Sequence, residues 1–214
     1  MPGKRLTRAE RAARTRELLM SAAAKVCARH GLERASIDDM AEEAGFTKGA
    51  FYANFRSKEE LFLAMLDERF AEQLGKLDRT LSEQGELSDQ VRAAASDFAH
   101  DLADDPEWVR LYFQFAAHAA RDEGFRAEFV TRERALRARM ADIVRRRTQR
   151  LPFPAPLPPD EVARMADAMI DGFAMHQLLD PDDYPDDLHA TMWSVFVAGL
   201  ESLAVKRQAS VGAG

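Results

Sequence analysis

The chain is expected to fold as an all-α protein, and three observations carry that expectation. Apolar residues recur every three or four positions through most of the 214 residues, the mark of amphipathic helices. Helix-capping residues stand ahead of several of those runs, at Ser36, Thr47, Ser57 and Asp160. No alternating strand pattern intervenes. A long first helix is expected from about Arg8 to His30. Ser36 then caps a short helix that buries Ile37, Met40, Ala41 and Ala44, and Gly45 stops it. Thr47 caps a second short helix with Phe51 and Phe55 on its core side and Lys48, Gly49, Tyr52, Ala53 and Asn54 outside. That is a helix-turn-helix, and its outer residues are placed to meet a DNA groove.

The next helix starts from a capping box, Ser57 at the cap and Glu60 three residues on, and carries Leu61, Phe62, Met65, Leu66, Phe70, Leu74 and Leu77 on its apolar side. Breaks near Gly85, Pro106 and Gly124 separate helices at about 87–104, 106–120 and 123–149. Residues 151–159 hold five of the nine prolines and form an extended loop, after which Asp160 restarts the chain as a cap. Two last helices are expected at about 160–179 and 185–206. The resulting organisation is a DNA-binding domain over 1–56, a larger helical effector-binding and dimerisation domain over 57–206, and a tail over 207–214.

Composition agrees. With 46% apolar residues the chain has ample material for a core, and its single cysteine, Cys27, excludes an intrachain disulfide. Cys27 stands among Ala23, Val26 and Leu32 and reads as a small buried hydrophobe rather than a redox sensor. No apolar run reaches bilayer length and no signal-peptide core is present, so a cytoplasmic protein without a membrane partner is expected. Residues 1–34 carry nine Lys or Arg against three Glu, +6 on a chain whose total is −6. A basic arm on an acidic body suits a protein that meets phosphates at one end, and Arg5 is placed in that contact.

The stretch from Thr15 to Leu61 closely resembles the DNA-binding segment of the TetR (tetracycline-repressor) family of bacterial regulators. The resemblance is carried by Thr15 to Ala23, Gly31-Leu32, Ala35-Ser36-Ile37, Met40-Ala41, Ala44-Gly45-Phe46, Lys48-Gly49, Phe51-Tyr52, Asn54-Phe55 and Ser57 to Leu61. It implies that Thr47 (or a serine there), Tyr52 and Lys58 hold phosphates while Lys48, Gly49, Ala50 and Ala53 lie nearest the base edges; Ser36 and Asn54 complete the set. A glycine lets backbone approach the groove, and a Tyr hydroxyl suits an anionic oxygen. Ala53 and Asn54 depart from common forms of the pattern, and Asp38 would repel phosphates unless it accepts from cytosine N4 or pairs with Arg34.

The same resemblance implies a small organic effector among the middle helices and a four-helix dimer interface from the last two. Phe98, Trp108, Tyr112, Phe115, His118, Met175 and His176 are the candidate pocket residues, with Phe113 and His100 nearby in sequence. Met165, Met169, Phe173, Trp193, Phe196 and Leu200 are the candidate interface residues, with Gly172 and Gly199 permitting close approach. Each of these also reads as ordinary core. No two histidines fall three or four apart, so a metal site is not expected and no cofactor is called for. Eight arginines between Arg132 and Arg150 read as a solvated face paired with the acidic loop Asp180 to Asp187. There is no phosphate loop and no nucleophile elbow, hence no enzyme. The expectation is a homodimeric regulator that binds an operator in double-stranded DNA and is released by a small molecule. The alternative is a DNA- and protein-binding module of the same fold without an effector.

Overall fold

The computed structural model describes residues 7–83, 85–149, 155–185 and 187–211, and within them the chain forms nine α-helices and one 3-10 turn. Arg5, Arg150, Asp186 and residues 151–154 of the proline run lie outside the described residues. Helix α1 spans Arg8–His30, α2 Ile37–Glu43, α3 Lys48–Tyr52, α4 Lys58–Ser82 and α5 Leu87–Asp104. Helix α6 spans Pro106–Ala119, α7 Glu123–Thr148, α8 Pro159–Leu179 and α9 Leu188–Val211, with the 3-10 turn at Pro181–Asp183.

Local chemistry explains the boundaries. Thr7 and Glu10 form a full capping box at α1. Gly31 ends that helix at φ 76°, a backbone conformation that L side chains rarely adopt. At α4 only half of the expected box forms. Ser57 Oγ accepts from Glu60 N, but the Glu60 carboxylate passes over the cap to take Arg56 N at 2.7 Å and the Arg56 guanidinium at 3.0 Å. Asp160 does not cap α8, because the helix begins one residue earlier at Pro159. A proline at the first helical position gives up an N–H that has no partner there, and Asp160 falls into the first turn where its charge suits the helix N-terminus. Helix α9 continues through residues 207–211, which the sequence leaves outside it.

The chain divides into two compact units: Met1–Glu68 with Arg110–Phe129, and Arg69–Val109 with Val130–Gly214. In the first, Leu19, Ala23, Val26, Met40, Phe51, Phe55, Leu61, Phe62, Leu66 and Phe115 are fully buried. Cys27 lies in this core, and burial pushes its thiol up to about 11. In the second, Leu74, Leu81, Met140, Ala141, Ile143, Ala163 and Ala166 form the core, flanked by Leu77, Leu136, Ile170 and Trp193.

Helices α5 and α9 are joined by a buried histidine. His189 Nδ1 lies 2.7 Å from the Ala95 carbonyl oxygen and its Nε2 accepts from Trp193 Nε1 at 3.0 Å. The first contact needs a proton on Nδ1 and the second needs a lone pair on Nε2, so the ring is neutral with both nitrogens occupied. Burial lowers its pKa, against the opposing pull of the Ala95 carbonyl.

Candidate nucleic-acid interface

The helix-turn-helix is built from two caps and a glycine. Ser36 Oγ accepts from Asp39 N at 3.1 Å and donates to the Asp39 carboxylate at 2.6 Å, which starts α2 and holds the carboxyl below its usual range. After α2, Gly45 adopts φ 74° while Gly45 N and Phe46 N close onto the Glu42 and Ala41 carbonyls. Thr47 Oγ1 then accepts from Ala50 N at 3.2 Å to start α3. The hydroxyl proton of Thr47 stays available to an acceptor outside.

Helix α3 has only five residues, so Phe55 lies beyond its end rather than on its face, yet Phe55 is 1% exposed and packs 5.7 Å from Phe51. These two rings anchor the element to the core. Thr47, Lys48, Gly49, Tyr52 and Ala53 are exposed, and Ala50 and Asn54 are half-buried. The Tyr52 ring rests edge-on against Phe51 at 5.7 Å and leaves its outer half in solvent. Asn54 turns back, donating from Nδ2 to the Ala50 carbonyl at 2.8 Å. Among the described residues Lys58 Nζ reaches the Glu33 carbonyl, at 3.5 Å.

Two features of this face escape the sequence. Arg16, one of the basic residues of the first 34, does not project from α1. It donates to the Asn54 carbonyl at 2.5 Å and lies 4.1 Å over the Phe55 ring, locking the segment just after α3. A separation of 38 residues gives no local signal for that contact. Asp38 pairs neither with Arg34 nor with solvent alone. Its carboxylate accepts from Lys48 Nζ at 2.9 Å, across the turn between α2 and α3. Behind them, Arg29 ties α1 to Glu43 of α2 at 2.6 Å.

The candidate effector residues fall in both units. In the first, Phe115 is fully buried with its ring 5.2 Å from Phe62; the Tyr112 ring lies tilted 6.2 Å from Phe129, and His118 lies 4.9 Å from Phe125. In the second, Phe98 lies 5.6 Å from His189, and Trp108 carries the Arg69 guanidinium 5.7 Å from its centroid. Met175 is half-buried, while His176 is exposed and stacks on Tyr184. His100 is exposed, its Nδ1 against the Ser96 carbonyl of its own helix. A separate apolar cleft in the second unit is walled by Leu87, Val144, Leu157, Val162, Val197 and Leu200, and of all the candidates only Leu200 lines it.

Among the candidate interface residues, Met165 is 44% exposed and Met169, Trp193, Phe196 and Leu200 are half-buried. Phe173 is already covered by its own chain, 4.1 Å from His189 and 5.6 Å from Tyr184. Leu188, Val195, Leu203 and Val205 on α9, and Leu179 at the end of α8, also stand outward. A Cβ added at Gly172 or Gly199 would meet nothing among the described residues. Contrary to the expectation that no apolar run reaches bilayer length, residues 188–209 of α9 are long and apolar enough to cross a membrane by length and composition, and 22% of their most apolar 18-residue window is buried. Four of the α7 arginines have partners other than the acidic loop among the described residues. Arg137 pairs with Glu133 and Asp167, Arg145 with Asp142 and Arg146 with Asp78, while Arg147 binds Gln90 and the Gly85 carbonyl.

Comparison with known proteins gives two family matches. Residues 19–65 match the bacterial regulatory proteins of the tetR family, and residues 87–200, more than half of the chain, match the C-terminal region of BetI-type transcriptional repressors. The chain is 32% identical over 112 residues to the HTH-type transcriptional activator FasR of Mycolicibacterium smegmatis, covering 52% of this chain and 49% of that one. It is 28% identical over 134 residues to the HTH-type transcriptional repressor AcnR of Corynebacterium efficiens, covering 59% and 64%. The match thus spans about half to two thirds of those relatives' own lengths. The fold is similar to that of the transcriptional regulator FadR of Bacillus subtilis, solved in complex with stearoyl-CoA, with a TM-score of 0.67 at 17% identity over 88% of this chain and 97% of that one.

Proposed function

Since the chain belongs to the TetR family of bacterial transcriptional regulators, we propose that it binds a palindromic DNA operator as a homodimer and is released by a small organic effector. The observation that carries the DNA reading is the exposed row Thr47, Lys48, Gly49, Tyr52 and Ala53, held on two fully buried phenylalanines and latched by Arg16. Thr47, Tyr52 and Lys58 supply donors for phosphates. Lys48, Gly49, Ala50 and Ala53 lie toward base edges. Ser36 has its hydroxyl proton on Asp39 and Asn54 its amide on Ala50, so they support the face more than they read from it.

The dimer reading rests on the outward apolar stripe of α9 with the open glycines beside it. A monomer would leave that stripe in water. The effector reading rests on the family and on the precedent of the FadR complex; the ligand here is taken only as a small organic molecule. Close packing of Phe115 against Phe62 and Phe125 favours the alternative at that one position, a DNA- and protein-binding module with a filled core. Phe115→Trp separates the two. In a filled core it overpacks and destabilises by about 1–3 kcal/mol, whereas beside a cavity it leaves stability intact and blocks release.

Selection from a pool of random duplexes tests the main reading. A dimer enriches paired half-sites about one helical turn apart, roughly 34–36 Å or a multiple. Failure to enrich any sequence, or a monomer in sedimentation at micromolar concentration, rejects it.

A further inference from the structure

Lys48 opens α3, Asp38 sits in the first turn of α2, and the 2.9 Å bond between Nζ and Oδ2 joins the two helices on their outer side. Both side chains are more than half exposed, 53% for Lys48 and 65% for Asp38, so the pair stands at the surface. Lys48 keeps two N–H donors and Asp38 keeps its remaining lone pairs. The bond to Asp38 also raises the Lys48 pKa from a value at which the ammonium is already charged at neutrality.

A lone lysine on a DNA-facing helix gains affinity from any phosphate by releasing counterions, whatever the sequence. A lysine bound to a carboxylate does not, because the pair is neutral and its acidic half repels phosphate. What such a pair can satisfy is a surface that offers acceptors and a donor side by side. In the major groove that surface is a G·C base pair, with O6 and N7 of guanine as acceptors and N4 of cytosine as donor.

On the operator-binding reading given above, we propose that Asp38 is a specificity-determining residue: it withholds the Lys48 charge from the DNA backbone and, together with Lys48, reads a G·C base pair of the operator. Specificity here comes from a repulsive element as much as from an attractive one. An exposed pair of this kind contributes little to stability, so replacing either partner leaves the fold in place.

The test uses the full chain, Asp38→Asn, Lys48→Ala and the double variant, on a mixed-sequence duplex of about three helical turns and on a random pool. Asp38→Asn should bind the mixed duplex several-fold more tightly and steepen its salt slope by about 0.9. That gain should vanish in the Lys48→Ala background. The sequences selected by Asp38→Asn should lose a G·C preference at one position of each half-site. Unchanged affinity and slope in Asp38→Asn would overturn the proposal, as would an equal gain with and without Lys48 or an unaltered selected motif. If the wild-type chain itself enriches nothing, the operator reading falls first, and this inference with it.

Discussion

In the helix-turn-helix the large apolar side chains are turned inward, with Phe51 at 0% and Phe55 at 1% exposure. Helix α9 has a more continuous apolar sequence, and yet Val195, Leu203 and Val205 stand 68%, 43% and 63% exposed. The difference shows where each element finds its partner. A short helix with one apolar face is satisfied by its own chain, and its polar face is left for a ligand. A helix that is apolar nearly all round, anchored on one side by His189, Trp193 and Val197, has a second side that the described residues leave open.

The largest way to break this contrast is a charge on the open side. Val195→Glu or Leu203→Glu should leave the subunit folded, since neither side chain is buried within it, but should place an unpaired carboxylate in a dry interface at a cost of several kcal/mol. Sedimentation should show monomer, and operator binding should fall to that of a half-site. Unaltered dimerisation in both variants would remove α9 from the interface.

The reverse experiment sharpens the other half. Phe51→Ala opens a cavity beneath the recognition segment and should cost about 3–5 kcal/mol. Val195→Ala in the isolated subunit should cost almost nothing. Denaturant midpoints of the two variants, compared at a concentration where the chain is monomeric, give the contrast directly; similar losses would mean that both positions are core.

The elements with strong local signals are legible in the sequence alone. Arg8 to His30 has a long amphipathic run, and Ser36, Gly45 and Thr47 mark the caps and the turn of the helix-turn-helix. The contacts that tune that face are not legible there, because they depend on groups far apart along the chain. Arg16 reads as one more basic arm residue until the fold brings the Asn54 carbonyl to it. Asp38 reads as a liability until Lys48 closes on it. His189 gives no signal at all: it lies in the apolar α9, and its two partners come from Ala95 of α5 and from the next turn.

That histidine yields the third prediction. Its folded pKa is depressed below the ordinary value of 6.5, so between that value and the lower folded one the unfolded chain takes a proton that the native chain does not. Stability should be flat above pH 6.5 and fall as the pH drops below it. The α5–α9 contact should loosen first, since protonation removes the acceptor for Trp193 Nε1–H. Denaturant unfolding followed by tryptophan fluorescence at about pH 7.5 and about pH 5.5, above and below the ordinary value, measures this. His189→Gln, which cannot titrate, should lose the extra acid sensitivity; a variant as acid-sensitive as the wild type would assign the effect elsewhere.

The smallest effect expected is on the phosphate contacts, and it refines the comparison rather than breaking it. Lys58 Nζ is held by a long 3.5 Å contact to the Glu33 carbonyl, so little is lost when it turns to a phosphate. Lys58→Ala should weaken operator and mixed-sequence DNA alike and reduce the salt slope by about one, the signature of one lost ionic contact. Tyr52→Phe removes a neutral donor and should weaken both DNAs with no change in slope. Neither variant should alter dimerisation, since Tyr52 ends α3 and Lys58 opens α4, both far along the chain from α9. Affinities measured across a salt series separate the two residues. A Lys58→Ala chain with the wild-type slope would leave Tyr52 and Thr47 as the phosphate contacts on this face and assign Lys58 to the Glu33 carbonyl alone.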